Sequence, residues 1–151
     1  MTNLTIIVPF LNEGVEVEKT VENIRNTSGY DIDIILINDN STDGYNYENI
    51  ASKYQTYYLK NKHRLGVAAS RDLGIENCRT DFFLLLDGHM RFYEKNWHSK
   101  LYDYLFLNEN SLLCCSCLPL DSTGEPIHHN IPFAAVVLFD KEKNKELLSL
   151  E

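Results

Sequence analysis

Apolar and polar positions follow one another along the first two thirds of the chain in blocks of two kinds. Leu4 to Phe10 is a short apolar run broken only by Thr5 and Pro9, the pattern of a strand buried on both faces. Asn12 is placed to cap a following helix, in which Val17, Val21 and Ile24 recur at helical spacing until Ser28-Gly29 stops it. Ile32 to Ile37, rich in β-branched residues, predicts a second strand. A dense cluster of turn formers runs from Asn38 to Gly44, with Ser41, Thr42 or Asp43 available to cap a short helix carrying Tyr47, Ile50 and Tyr54. Gln55 to Leu59 predicts a third strand and Val67 to Ile75 a helix. Phe82 to Leu86 predicts a fourth strand, buried through Leu84, Leu85 and Leu86 and ending at Asp87. Trp97, Leu101, Tyr104 and Leu105 mark another helix. Beyond it, Leu112 to Leu118 predicts a strand, Asp121 to Pro126 a loop, and Ile131 to Phe139 a last apolar run.

Strands alternating with helices predict an α/β protein with a Rossmann-like, mostly parallel sheet covered by helices on both faces. No internal repeat, low-complexity tract or linker interrupts it. In such a sheet, ligands sit outside the carboxyl ends of the strands. Three polar clusters fall there: Asn12-Glu13 after the first strand, Asn38 to Gly44 after the second, and Asp87-Gly88-His89 after the fourth.

Composition narrows the picture. A length of 151 residues fits one domain with a real core, and 44% hydrophobic with 24% charged residues is ordinary for a globular protein. A net charge of -8 argues against a nucleic-acid backbone or an anionic membrane as partner. Lys60, Lys62, His63 and Arg64 still form a local basic stretch able to meet one small phosphate ligand. No apolar run approaches the roughly 18 residues of a membrane span. The amino terminus lacks a basic start, a long apolar core and a cleavage site, so a soluble, cytoplasmic protein is expected. Three of the four cysteines, Cys114, Cys115 and Cys117, crowd into one apolar segment, and Cys78 stands apart. That is not the spacing of a disulfide framework, and neighbours on a strand face opposite ways, so buried reduced thiols are expected rather than zinc.

Asp87-Gly88-His89 offers the most pointed chemistry. Residues two apart on an extended segment face the same way, so the carboxylate and the imidazole can share one ligand, with Gly88 permitting close approach. A carboxylate with an imidazole suits Mn²⁺ better than Mg²⁺ and leaves positions open for phosphate oxygens. The competing reading is a strand-end turn in which Asp87 accepts backbone N–H groups. Asp39 also has two readings: a hydrogen bond to the imide N–H of uracil, or service within a capping loop. Trp97 is spaced to pack, with sugar stacking as the alternative. His128-His129 reads as a surface pair or as the source of a distant metal ligand. No Gly-x-Gly-x-x-Gly follows the first strand, which argues against a dinucleotide-binding oxidoreductase.

Four segments in order resemble the GT-A-fold glycosyltransferases, in particular the large inverting family 2. They are Ile7-Val8-Pro9-Phe10-Leu11-Asn12-Glu13, Ile35 to Gly44, Arg64-Leu65-Gly66-Val67-Ala68-Ala69-Ser70-Arg71-Asp72-Leu73-Gly74, and Phe83-Leu84-Leu85-Leu86-Asp87-Gly88-His89. The resemblance covers roughly residues 4 to 107. It implies a nucleotide-sugar (donor) binding domain over residues 1–110 and the start of an acceptor-side region over 111–151, within the same compact domain. Pro9, Asn12 and Glu13 would line the nucleoside pocket, Asp39 would contact the base, and Arg71 would lie near the diphosphate. Asp87 and His89 would stand where the family has its Asp-x-Asp metal motif. The His variant is similar to the Asp-x-His of the polypeptide N-acetylgalactosaminyltransferases, which are retaining enzymes, so the stereochemical outcome stays open. Asn38 and Asp72 depart from the family's common Asp and Asn.

The expected activity is metal-dependent transfer of a sugar, from a UDP-sugar in the first instance, to a carbohydrate, lipid-linked or protein acceptor. The alternative is a non-catalytic nucleotide-sugar-binding or interaction domain. In the inverting relatives a carboxylate base follows the donor half. Here the acids in that region, Asp121, Glu125 and Asp140, lack a family-like setting, and a truncated, split or very short member is expected.

Overall fold

A computed structural model describes residues 4–108, 112–113 and 117–127. The chain divides into two compact units, Met1–Leu107 and Asn108–Glu151. His128, His129, Asp140, Cys114, Cys115 and the run from Ile131 to Phe139 lie outside the described residues.

The first unit alternates strand and helix as the hydrophobic pattern predicts. Its elements are β1 (Leu4–Phe10), α1 (Val15–Ser28), β2 (Asp33–Asn38), α2 (Tyr47–Tyr54), β3 (Tyr57–Lys60), α3 (Val67–Glu76), β4 (Phe82–Leu85) and α4 (Trp97–Leu107). The four strands form one parallel sheet in the order β3-β2-β1-β4. Residues alternate between its faces. Ile6, Val8, Ile34 and Leu36 meet Val17, Val21 and Ile24 of α1, Ile50 and Tyr54 of α2, and Trp97 of α4 in the larger core. Ile7, Ile35 and Ile37 face the other way and pack with Leu73 of α3. Helices therefore cover both faces. The α3 contact is very close: a Cβ added to Gly74 would stand 2.3 Å from Ile7 Cγ2 and 2.8 Å from Ile37 Cδ1.

Several local expectations are corrected. Asn12 does not cap α1; the cap position is Gly14, with φ of 52°, and no side chain closes it. Asn46, not Ser41, Thr42 or Asp43, caps α2, its side chain accepting from the Asn49 N–H at 3.2 Å. Gln55 is not in β3: it ends α2 in the left-handed region at φ of 52°. Strand β4 is not buried through its length, because α3 packs over β1 and β2, leaving Phe83 45% and Leu85 37% exposed. Trp97 packs, stacking on Phe92 with ring centroids 3.7 Å apart while its Nε1–H donates to Thr27 Oγ1.

In the second unit, Leu120 and Pro126 form an antiparallel bridge around a turn that Asp121 holds. Leu112 and Leu113 lie outside any strand, and Cys117 is exposed rather than buried. Among the described residues, no helix is long and apolar enough to cross a membrane.

Candidate functional site

The strand order reverses at β1. The chain moves outward from β1 to β2 and β3, then returns to place β4 on the other side of β1. At such a switch point the loops leaving adjacent carboxyl ends diverge and open a crevice. A cavity of about 270 Å³ occupies that place. It is lined by Pro9, Phe10, Leu11 and Glu13 after β1, Asp39 after β2, Arg64, Gly66, Val67 and Ser70 around the start of α3, and Asp87 and His89 after β4. Another cavity, of about 110 Å³, lies at the amino ends of the strands among Thr5, Asp33, Tyr57 and Arg79, away from all three polar clusters.

The loops after β1 and β2 hold each other. Asn12 donates its backbone N–H to Ser41 Oγ at 2.9 Å, and its Oδ1 accepts the Thr42 N–H at 2.7 Å. Its φ of 56° turns the chain so that both bonds form. The Gly14 N–H is shared between Tyr47 Oη at 2.7 Å and Asp43 Oδ2 at 3.2 Å. Asn12 is thus a cross-link between loops and is not among the residues lining the cavity. Asp43 serves the same joint, and the Tyr47 hydroxyl beside it holds its carboxyl below the ordinary range.

Asp39 is only 4% exposed and fully engaged within the fold. Its Oδ1 accepts Asn61 Nδ2 and the Leu65 N–H, both at 2.8 Å, and its Oδ2 accepts the Gly66 N–H at 2.9 Å. Burial pushes this carboxyl upward, but the donors Leu65, Asn61 and Gly66 outweigh it and hold the group below its ordinary value. Asp39 holds the turn that leads into the distant α3, through the N–H groups of Leu65 and Gly66. The Ser70 side chain is a fourth donor to this carboxylate, and Asp39 lies in the lining of the cavity. Asn61 and Ser70, joined at 3.1 Å, complete this buried node. Neither stands out in the sequence, since Asn61 sits in a basic stretch and Ser70 inside a helix. Gly66, with φ of 90° before α3, is the signal that marks the turn.

Arg71 does not line the cavity. Its Nη2 lies 3.1 Å from Asp87 Oδ1, and its Nε is buried without a hydrogen-bond partner among the described residues. His89 Nδ1 lies 3.0 Å from Glu13 Oε2. Gly88 leaves room for that same carboxylate: a Cβ there would stand 2.6 Å from Glu13 Oε2. At Gly88 the close approach is made by the Glu13 carboxylate. Asp87 and His89 open onto one cavity, and a carboxylate with an imidazole is a donor set that fits a divalent cation of borderline hardness. No group of three potential protein ligands is gathered among the described residues, so a cation here would draw its remaining ligands from elsewhere. Asp121, the acid considered for a later step, accepts the N–H groups of Thr123 and Glu125 and the Thr123 hydroxyl, and so holds its own turn.

The fold with these features is the GT-A type of α/β domain. The structure aligns with the mannosyltransferase PcManGT from Pyrobaculum calidifontis in complex with GDP-Man and Mn²⁺ at a TM-score of 0.61 and 17% identity, over 77% of this chain and 35% of that one. It aligns with GalNAc-T7 with UDP, GalNAc and Mn²⁺ at a TM-score of 0.59 and 22% identity, over 68% of this chain and 20% of that one. Glycosyl transferase family 2 matches residues 5–149, and the chain belongs to that family. Among curated relatives, the cholesterol galactosyltransferase of Borreliella burgdorferi is 26% identical over 96% of this chain and 41% of its own length. The GalNAc(5)-diNAcBac-PP-undecaprenol beta-1,3-glucosyltransferase of Campylobacter jejuni is 28% identical over 58% of this chain. That alignment takes in 29% of the relative, so the chain spans well under half the length of both.

Proposed function

We propose that this chain forms the donor half of a metal-dependent glycosyltransferase that takes a sugar from a nucleoside-diphosphate sugar, a UDP-sugar first, and passes it to an acceptor. The observation that carries this reading is the convergence of Pro9, Glu13, Asp39, Asp87 and His89 on one cavity at the switch point of the sheet. Asp39, in the lining of the cavity, would accept the imide N–H of the base, with Pro9, Phe10 and Leu11 against the nucleoside. Arg64 and the amino end of α3, at Val67, would supply positive charge for the diphosphate. Arg71, paired with Asp87, would turn to the same phosphates. Asp87 and His89 would hold the cation, Mn²⁺ in preference to Mg²⁺. When bound, that cation neutralises charge on the departing nucleoside diphosphate. The names of the two curated relatives make a lipid or lipid-linked acceptor the first class to test.

A donor-binding domain without transfer is the second reading, favoured by Asp121 being spent on its own turn. Donor hydrolysis separates the two, because water needs no acceptor site.

The decisive experiment is thermal unfolding with UDP, GDP and their sugars, with and without Mn²⁺, on wild type and Asp87→Ala. A ligand at about 100 times its Kd adds roughly 2.7 kcal/mol to the native state. Stabilisation by a nucleotide that requires both Mn²⁺ and Asp87 supports the proposal. Absence of stabilisation under every metal condition removes it.

A further inference from the structure

Glu13 is placed differently from a nucleoside contact. Its carboxylate lies over the Gly88 peptide, where an added Cβ would come within 2.6 Å of Oε2 and 3.0 Å of Cδ. From that seat Oε2 reaches His89 Nδ1 at 3.0 Å. The same peptide is held from its carbonyl: Thr20 Oγ1 donates to Gly88 O at 2.7 Å in a buried bond. Thr20 Oγ1 in turn accepts Arg91 Nη1 at 2.8 Å, and Arg91 Nη2 reaches Glu16 Oε2 at 2.7 Å. The segment from Glu13 to Thr20 therefore grips residues 88 and 89 at two points, one on the backbone and one on the imidazole.

An imidazole that donates from Nδ1 to a carboxylate presents its lone pair at Nε2. That is the tautomer a metal ligand needs, and a carboxylate behind a ligating His also restricts the ring's rotation. His89 is 60% exposed on its side chain, so packing alone does not fix it, whereas the Glu13 side chain is 25% exposed and lies against Gly88. We propose that Glu13 is a positioning residue that sets the tautomer and orientation of His89 so that Nε2 faces the cavity as a metal ligand. Gly88 is the accompanying requirement, because a side chain there displaces the Glu13 carboxylate. This inference rests on the donor-and-metal reading of the cavity.

The test uses the full chain. Long-range ¹H–¹⁵N correlation on the metal-free protein at mildly alkaline pH reads the His89 tautomer, assigned by comparison with His89→Gln. The Nδ1–H form is expected in wild type and in Glu13→Gln, whose amide oxygen still accepts. A mixture of tautomers is expected in Glu13→Ala. Mn²⁺ titration in the presence of UDP is then expected to weaken about 10- to 100-fold in Glu13→Ala and in Gly88→Ala, with Glu13→Gln recovering most of the loss. An Nε2–H tautomer in wild type overturns the proposal, as does equal Mn²⁺ affinity in wild type and Glu13→Ala. Failure of wild type itself to bind Mn²⁺ overturns the metal reading and this inference together, and is told apart because no variant comparison is then needed.

Discussion

Arg71 Nη2 stands 3.1 Å from Asp87 Oδ1, so the acid that would hold a cation is already held by a guanidinium. The pair is half exposed and monodentate, and such pairs contribute about 0–1 kcal/mol. It is thus easily exchanged. Arg71→Gln should tighten binding of Mn²⁺ alone by up to about 5-fold, the value of the lost competitor. The same change should weaken nucleoside diphosphate binding. Opposite signs for the two ligands, read by Mn²⁺ paramagnetic resonance and by UDP calorimetry, are the expected result. Parallel changes would mean that Arg71 and the metal do not share Asp87.

Asp39 links pH to stability. Its carboxyl lies below the ordinary 3.8 because donors from Leu65, Asn61 and Gly66 overcome burial. A lowered carboxyl contributes stability that is complete above the unfolded value and is lost as pH falls through the folded one. Wild type should therefore lose stability below about pH 4 more steeply than Asp39→Asn. At neutral pH the variant should be roughly 2–4 kcal/mol less stable, since one oxygen acceptor becomes an N–H₂ group facing an N–H. Urea unfolding of both proteins from about pH 6 to pH 3 checks the sign.

Arg25 carries a structural burden that its place in the helical pattern conceals. Only 8% exposed, it donates to the carbonyl oxygens of Tyr54, Gly29, Ile32 and Gln55. Burial lowers its pKa, yet a guanidinium stays charged. Arg25→Met keeps the volume and strands these acceptors, with an expected cost of roughly 3–5 kcal/mol. A calorimetric midpoint lowered by less than about 5 °C would refute that accounting.

His89→Asp recreates the common Asp-x-Asp motif but sets a second carboxylate against Glu13, which now lies 3.0 Å from the imidazole. Alone, the change should weaken divalent binding. Combined with Glu13→Gln it should restore binding and reduce the preference for Mn²⁺ over Mg²⁺, because an oxygen donor replaces nitrogen. The ratio of the two dissociation constants in the double variant is the measurement.

The strands were legible where burial leaves one pattern only. β1 and β2 lie inside the sheet with helices on both faces, and their apolar runs match their bounds within a residue or two. β4 misled because three leucines look alike whether or not a helix covers them. The convergence of the polar clusters followed from parallel topology. Their internal wiring did not. Asn12 and Asp43 are plausible caps by type, but Asn12 reaches Thr42 and Asp43 reaches Gly14 about 30 residues away, and Asp39 is likewise held by Asn61 and Leu65, 22 and 26 residues on, in loops the sheet brings together. Gly88 signals a close approach by its type, yet that the Glu13 carboxylate lies against it is a three-dimensional fact.

Gly74 gives the cavity a remote control on its dimensions. The start of α3, with Gly66, Val67 and Ser70, forms one wall of the cavity, while Gly74 near its other end touches Ile7 and Ile37 with no room for a methyl group. The helix rests on that point as a lever rests on a fulcrum. A single added carbon at residue 74 would lift the helix off the sheet and change the width of a wall formed several residues earlier. The cavity's width is therefore exposed to drift at a residue that does not line it, and a screen restricted to lining residues would miss it.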